Sequence, residues 1–462
     1  MDMFVVQGGR RLNGRVRVGG SKNAALPIMA AAIAADGPTV LHNVPDLVDV
    51  RTLASLLRKL GLSVERDGAT ARLEVRDAAP AVADYDLVRQ MRASVCVLGP
   101  LLARRGYACV SLPGGCNIGD RPIDLHLKGL RALGAEIHVR RGYVVAEADG
   151  LQGADVFLGG AFGSTVTGTC NVMVAASLAQ GRTTIEAAAC EPEVVDLGNF
   201  LVAMGARIHG LGTPLLTIDG VPSLQGTPYS IISDRIEAAT LMIAAAITGG
   251  DIVLDGVRID HLTAVVEKLQ ELGVQIEQMA DGGVSVCRSE PLGSSDCTAL
   301  PYPGLPTDVQ AQFMALLATS GRLSVVTDKV FPDRFMHVAE LNRMGACIRR
   351  EGGTAIIHGV ETLSGACVMA SDLRASAALV LAALAAKGNS VIRRIYHLDR
   401  GYHDLDRKLN LLGADVRRVT DEPDNMPASL NQPIEIDTHP AVRGPKWLSH
   451  QPATRPVADT EP

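Results

Sequence analysis

The run LeuArgLysLeuGlyLeuSerVal at 57–64 decides the architecture, because its pattern is written six times along the chain. It recurs as LeuArgAlaLeuGlyAlaGluIle (130–137), LeuValAlaMetGlyAlaArgIle (201–208) and LeuGlnGluLeuGlyValGlnIle (269–276). It closes with LeuAsnArgMetGlyAlaCysIle (341–348) and LeuAsnLeuLeuGlyAlaAspVal (409–416). The glycines stand at 61, 134, 205, 273, 345 and 413, with spacings of 73, 71, 68, 72 and 68 residues. A helical pattern precedes each glycine and an alternating, strand-like pattern follows it. A helix that turns at once into a strand needs a left-handed residue at its C′ position, where glycine pays no Cβ penalty.

A second marker keeps the same period. Ala-rich helices are predicted to end at Gly37, Gly106, Gly181, Gly250, Gly321 and Gly388, each followed by a short β-rich run. Each unit of about 70 residues therefore carries two helices and several strands, too long for a solenoid repeat. Six units divide into two lobes of three. The turn-rich stretch SerLeuGlnGlyThrProTyrSer (223–230) suits a crossing between them. Two lobes imply a cleft, and clefts are preferred ligand sites.

Composition agrees with an α/β (α+β) fold. At 462 residues the chain is long enough for two or three domains, and 47% of it is hydrophobic. Only 3% is aromatic, so the cores are built from Ala, Val, Leu and Ile. The start, MetAspMetPheValValGlnGlyGlyArgArg (1–11), carries no secretory pattern. The longest apolar runs, 24–35 and 375–386, are a dozen residues, short of the roughly 20 that span a bilayer. Nine cysteines without CxxC pairs point to reduced thiols in a cytoplasm. No metal-ligand cluster stands out, and a net charge of −6 argues against broad nucleic-acid binding.

Four polar clusters interrupt the apolar pattern. GlyGlySerLysAsnAla (19–24) opens an Ala-rich helix; it suits an anion at the helix N-terminus, or equally an N-cap with a solvated lysine. ProGlyGlyCysAsnIleGlyAspArgProIleAspLeuHis (113–126) puts Cys116 in a loop five residues before Arg121, and cationic neighbours lower a thiol pKa. The other eight cysteines sit mostly beside Ala, Val or Leu, as core residues do. ProThrAspValGlnAlaGln (306–312) places Asp308 near a helix start, where a dipole-favoured carboxylate is the simpler explanation. AspArgPheMetHis (333–337), AspLeuArgAla (372–375) and AspArgGlyTyrHis (399–403) each contribute an Asp and an Arg. They are either three structural ion pairs or a set of arginine forks for carboxylate and phosphate.

In this order and on this repeat, the clusters resemble the UDP-N-acetylglucosamine 1-carboxyvinyltransferase family of the EPSP synthase-like enolpyruvyl transferases. The resemblance runs from about Phe4 to about Val419. It rests on GlySerLysAsn (20–23), MetArgAlaSer (91–94), LeuProGlyGlyCys (112–116), LeuProThrAspValGlnAlaGln (305–312), ArgPheMetHisVal (334–338) and AspLeuArgAlaSer (372–376). It implies a two-lobed inside-out α/β barrel. One lobe would be made of 1–21 plus 231–420, the other of 22–230 with the Cys116 loop, and 421–462 would be a disordered tail.

The resemblance also implies an addition–elimination reaction without metal or organic cofactor, on the small molecules phosphoenolpyruvate and UDP-N-acetylglucosamine. Nucleic acid and membrane insertion play no part in it. Cys116, Asp308, Lys22 and Arg400 would be catalytic. Lys22, Asn23, Arg121 and Arg400 would bind phosphoenolpyruvate. Arg92, Arg121, Pro122, Ile123, Asp124, Leu125, Ser164, Asp308 and Val330 would bind the sugar nucleotide. Arg334, Asp372 and Arg374 would support the cleft. Cys116 would act as general acid toward the methylene carbon and would be alkylated by fosfomycin, while Asp308 would accept or orient the proton of the sugar 3′-hydroxyl.

Two departures stand out. Some relatives carry a lysine in the segment matching LeuGlyGlyAlaPheGly (158–163), where this chain is read as having Gly159; and the tail has no counterpart in the family core. Three competing readings stay open: the shikimate-pathway enolpyruvyl transferase, a catalytically silent UDP-sugar sensor, and an RNA-end-processing enzyme. The ProGlyGlyCys loop and ArgProIleAspLeu (121–125) weigh against the first. Joint retention of Lys22, Cys116, Asp308 and Arg400 weighs against the second, and acidic charge with few aromatics against the third.

Overall fold

The computed structural model describes residues 1–113 and 122–431. All six repeat glycines are left-handed, with φ between +86° and +106°. After the helix Asp124–Ala132, Ala135 N–H donates to Leu130 O (3.1 Å) and Gly134 N–H to Arg131 O (2.9 Å), the paired bonds that close a helix end on a left-handed residue. The second marker is less regular. The helix Arg235–Thr248 is capped by Gly249 rather than Gly250, and the helix Lys22–Ala31 ends well before Gly37, running through a 3-10 turn Ala32–Ala34.

Each unit builds a four-stranded sheet of one design: a parallel pair, then two antiparallel neighbours. In the second unit the order is Val82–Ala83, Tyr107–Ser111, Tyr143–Glu147, Glu136–Arg140, with Val82 level with Cys109 and Val144 level with both Val110 and Val139. Three sheets need strands from elsewhere in the chain. Pro228–Ser230 lies parallel to Thr39–His42 in the first sheet, and Asn13–Arg17 lies parallel to Asp251–Asp255 in the fourth. The amino-terminal strand Asp2–Gln7 takes the third place in the sixth, between Asn389–Arg393 and Asp415–Thr420.

Helices fill the centre. Arg235–Thr248, Thr307–Leu317 and Leu373–Ala385 pack on one another and are buried nearly throughout. Lys22–Ala31 and Leu98–Arg105 each pack on Val166–Ser177 around a second centre, the first and last of these buried nearly throughout and Leu98–Arg105 over its first five residues. A helix apolar on every side must be surrounded, and their alanines let neighbouring backbones approach closely. The second helix of the first unit, Val48–Lys59, buries only one stripe, whereas that of the third, Pro192–Ala203, is buried on most sides. Buried apolar residues gather into two large clusters, one within 24–231 and one combining 4–18 with 236–416.

Two adjacent crossings join them. Ser21 N–H donates to Ile232 O (2.7 Å) and Asp234 N–H to Gly19 O (2.8 Å). Gly20 admits no side chain there, since a Cβ would stand 1.7 Å from the Asn43 carbonyl oxygen.

The chain keeps regular structure past Asp421, where the composition predicts a disordered tail. A 3-10 turn Pro423–Asn425 and a short helix Ala428–Asn431 place Met426 and Leu430 against Met3, Val5 and Val391. Once that apolar sheet surface is present, these residues have something to pack on. Among the described residues no helix is long and apolar enough to cross a membrane.

Candidate functional site

A cavity of about 570 Å³ lies between the two clusters and is lined from both. Five of the six central helices point their N-termini into it, and the sixth reaches it through the 3-10 turn Arg92–Val97. Side chains cap four of them. Ser21 Oγ accepts from Ala24 N–H (3.3 Å) and Thr165 Oγ1 from Gly168 N–H (3.2 Å). Asp234 Oδ1 accepts from Ile236 and Glu237 (2.8 and 3.0 Å), and Asp372 Oδ1 from Arg374 and Ala375 (2.9 and 3.1 Å). Unsatisfied N–H groups and the positive dipole ends favour anions in such a space.

Three ion networks line the wall. Asp308 is clamped by two arginines: Arg334 Nη1 at 2.8 Å from Oδ1 and Arg374 Nη2 at 2.9 Å from Oδ2. Burial would raise this carboxyl, but the guanidiniums of Arg374 and Arg334 prevail and hold it well below the usual carboxylate range. Arg334 also donates to Thr307 Oγ1 (3.2 Å), whose hydroxyl donates to Asp328 (2.6 Å). Asp328 in turn accepts from the backbone of Val330 and Phe331 (2.9 and 2.7 Å), which fixes the strip carrying Val330.

In the second network the buried Asp49 bridges the two clusters, with Lys22 Nζ at 2.7 Å from one oxygen and Arg400 Nε at 2.9 Å from the other. In the third, Arg235 forks onto Glu193 (2.9 and 3.2 Å) beneath the Tyr302 ring, 5.5 Å from its centre.

Of the residues singled out from the sequence, Lys22, Asn23, Arg92, Pro122, Asp124, Leu125, Ser164, Asp308, Val330, Arg334, Asp372, Arg374 and Arg400 all line this cavity. Ile123 does not; its side chain is 7% exposed and joins the apolar cluster beneath. Cys116 and Arg121 lie outside the described residues. Of the other eight cysteines only Cys96, Cys170 and Cys297 are fully buried, and five are half-buried. Cys96 borders the cavity, but burial pushes its thiol up to about 12.

The three Asp–Arg segments resolve in an unexpected way. Asp333 pairs with Arg350 and Asp399 with Arg418, away from the cavity, while Asp372 caps a helix. From the first and third segments it is the arginines, Arg334 and Arg400, that line the cavity, and from the second both Asp372 and Arg374 do.

Asp49, Glu193 and Arg235 were not foreseen. Asp49 did leave a trace, since it falls on the apolar stripe of its helix with Val50, Leu53 and Leu57. An acidic residue on a stripe that faces the core needs a buried partner. Among the described residues no group of His, Cys, Asp or Glu is placed to hold a metal ion.

Residues 6–409 match the family model described as EPSP synthase (3-phosphoshikimate 1-carboxyvinyltransferase). The chain is 50% identical over 419 residues to UDP-N-acetylglucosamine 1-carboxyvinyltransferase of Methylacidiphilum infernorum, covering 91% of this chain and 99% of the relative. It is 51% identical to the protein so named from Akkermansia muciniphila (91% and 100% covered), and 52% identical to that of Myxococcus xanthus (90% and 99%). Its fold is similar to the crystal structure of the enolpyruvyl transferase NikO from Streptomyces tendae, with a TM-score of 0.81 and 26% identity over 90% of this chain and 99% of the other. EPSP synthase from Acinetobacter baumannii shares the fold at a TM-score of 0.70 and 21% identity, over 91% of this chain and all of the other.

Proposed function

The chain belongs to the UDP-N-acetylglucosamine 1-carboxyvinyltransferase family, within the EPSP synthase-like enzymes, and we infer from this that it transfers the enolpyruvyl group of phosphoenolpyruvate to the 3′-hydroxyl of UDP-N-acetylglucosamine. Phosphate is released, and the reaction is the first committed step of peptidoglycan synthesis. The observation that carries the inference is the cavity between the two clusters, where central helix N-termini converge with Lys22, Arg334, Arg374 and Arg400.

The residues divide the work by charge. Lys22, with Asn23 beside it, and Arg400 stand on opposite clusters and are linked through Asp49, so they suit the phosphate of phosphoenolpyruvate. Arg121 is assigned to the same anion. Cys116 protonates the methylene carbon, leaving a cation-like centre that the sugar hydroxyl attacks. The methyl carbon then gives up a proton as phosphate leaves, which restores the carbon–carbon double bond, and the cations stabilise the negative charge that develops on the phosphate.

Asp308 is too acidic in its double clamp to serve as a strong base, so its first role is to accept the hydrogen bond of the 3′-hydroxyl and aim it. An anionic substrate beside Arg334 and Arg374 draws on the same guanidiniums, weakens their hold on Asp308 and raises its basicity when both substrates are present. Arg92, Pro122, Asp124, Leu125, Ser164 and Val330 form the sugar-nucleotide side, and Asp372 holds the start of the helix that carries Arg374. The two units, 1–21 with 231–420 and 22–230, act as lobes that shut out water. The reaction is placed in the cytoplasm.

The test is phosphate release from phosphoenolpyruvate with and without UDP-N-acetylglucosamine, using wild type and Cys116→Ala. Release that depends on the sugar nucleotide and collapses in the variant is expected. Folded wild type that releases phosphate only with shikimate 3-phosphate, or with neither acceptor, overturns the inference.

A further inference from the structure

Between Asp155–Phe157 and the helix Val166–Ser177 the chain makes a small hairpin, Gly159–Gly160 paired with Gly163–Ser164, and Phe162 sits at its tip. Phe162 lines the cavity yet is 60% exposed, one of the most exposed large apolar side chains among the described residues. Leaving an aromatic ring in water at the mouth of an anion-binding cavity gains nothing for the fold.

The hairpin is held in place from several sides. The Phe157 ring packs against Gly159, where a Cβ would meet it at 2.5 Å, and Lys128 stands 5.1 Å from the centre of that ring. A Cβ on Gly160 would meet the Leu125 side chain at 3.0 Å, so the hairpin lies directly on the sugar-nucleotide side of the cavity. A Cβ on Gly163 would meet Pro301 at 2.8 Å, so its other edge touches the stretch between Cys297 and Leu305, two residues of the opposite cluster. No residue from Phe157 to Ser164 is charged. What the hairpin offers a ligand, beyond its main chain, is the face of Phe162.

We propose that Phe162 is a substrate-binding aromatic that packs against the planar base of the nucleotide sugar, and that it sets this chain's affinity for the nucleotide half of that substrate. The proposal rests on the reading that the cavity takes UDP-N-acetylglucosamine. Every nucleobase presents a π-face, and an aromatic ring stacked on it excludes water from both surfaces. Phosphoenolpyruvate, a small dianion or trianion without an aromatic ring, gains little from stacking on Phe162.

Steady-state kinetics on wild type, Phe162→Ala and Phe162→Trp test this, with UDP as a competing fragment that lacks the sugar. In Phe162→Ala, KM for UDP-N-acetylglucosamine and the inhibition constant of UDP both rise about tenfold. KM for phosphoenolpyruvate and kcat stay within about twofold, and Phe162→Trp restores both nucleotide constants. If Phe162→Ala does not fold, quenching of the new indole fluorescence of Phe162→Trp by UDP supports the proposal, and its absence overturns it. An unchanged UDP constant in folded Phe162→Ala, or a KM for phosphoenolpyruvate that rises in step, also overturns it while leaving the reaction intact. Wild type that neither turns over UDP-N-acetylglucosamine nor is inhibited by UDP overturns the underlying function as well.

Discussion

Asp308→Asn keeps the size of the side chain and removes its charge from between two arginines. The Arg334 and Arg374 side chains are only 6% and 3% exposed, and their nitrogens lie 2.8 and 2.9 Å from opposite carboxylate oxygens. Those nitrogens are therefore within about 8 Å of each other, and at an effective dielectric near 20 they repel by about 2 kcal/mol once the carboxylate is neutral. Stranding a buried charge costs on the order of 3–5 kcal/mol, and the part of Asp308 that reaches solvent relieves some of it. The expected loss of stability is about 2–4 kcal/mol, read as a lower urea midpoint at neutral pH with an unchanged slope.

Removing one stranded cation relieves the repulsion. Asp308→Asn combined with Arg374→Met should therefore regain at least about 1 kcal/mol over Asp308→Asn alone. Asp308→Asn within about 0.5 kcal/mol of wild type, or a double variant less stable than the single one, refutes the reasoning.

Three further outcomes are expected. Burial raises the Asp196 carboxyl to about 6, even though Tyr229 Oη donates to it at 2.7 Å and Ile232 N–H at 3.2 Å. A folded pKa above the unfolded one means its contribution is complete below about pH 4 and is lost as pH climbs to about 6, a fall of roughly 2–3 kcal/mol. The urea midpoint should drop less over that range in Asp196→Asn than in wild type, and equal drops count against the assignment. Gly20→Ala pushes a methyl to 1.7 Å from the Asn43 carbonyl oxygen and should cost at least about 3 kcal/mol or abolish soluble expression; normal yield and melting temperature contradict this. Truncation after Glu422 uncovers Met3, Val5 and Val391 and should cost about 1–2 kcal/mol. Turnover should be unchanged, because neither Met426 nor Leu430 lines the cavity; a loss of kcat at full stability contradicts that.

Local rules made much of the fold readable in advance. The helix-to-strand turn at Gly61 and its five counterparts is settled within a few residues, since only glycine takes that backbone conformation freely. A helix such as Leu373–Ala385, apolar on every side, announces burial without reference to its neighbours. The arginines at 334, 374 and 400 and the loop cysteine could be singled out because their residue types suit anions and proton transfer.

Pairing across the chain could not be read this way. Asp49 and Arg400 are 351 residues apart, and Arg235 and Glu193 meet only where the two clusters touch. Which partner each Asp of the three Asp–Arg segments takes, whether Ile123 faces the cavity or the core, and that residues after 421 find an apolar sheet surface were likewise settled in three dimensions. The sequence alone determined the six units and the residue types able to handle anions, because turn, cap and periodicity act over a few residues. The tertiary structure alone decided which charges face one another, because an ion pair depends on distance in space and the chain crosses between its two clusters twice, at 18–22 and 231–235.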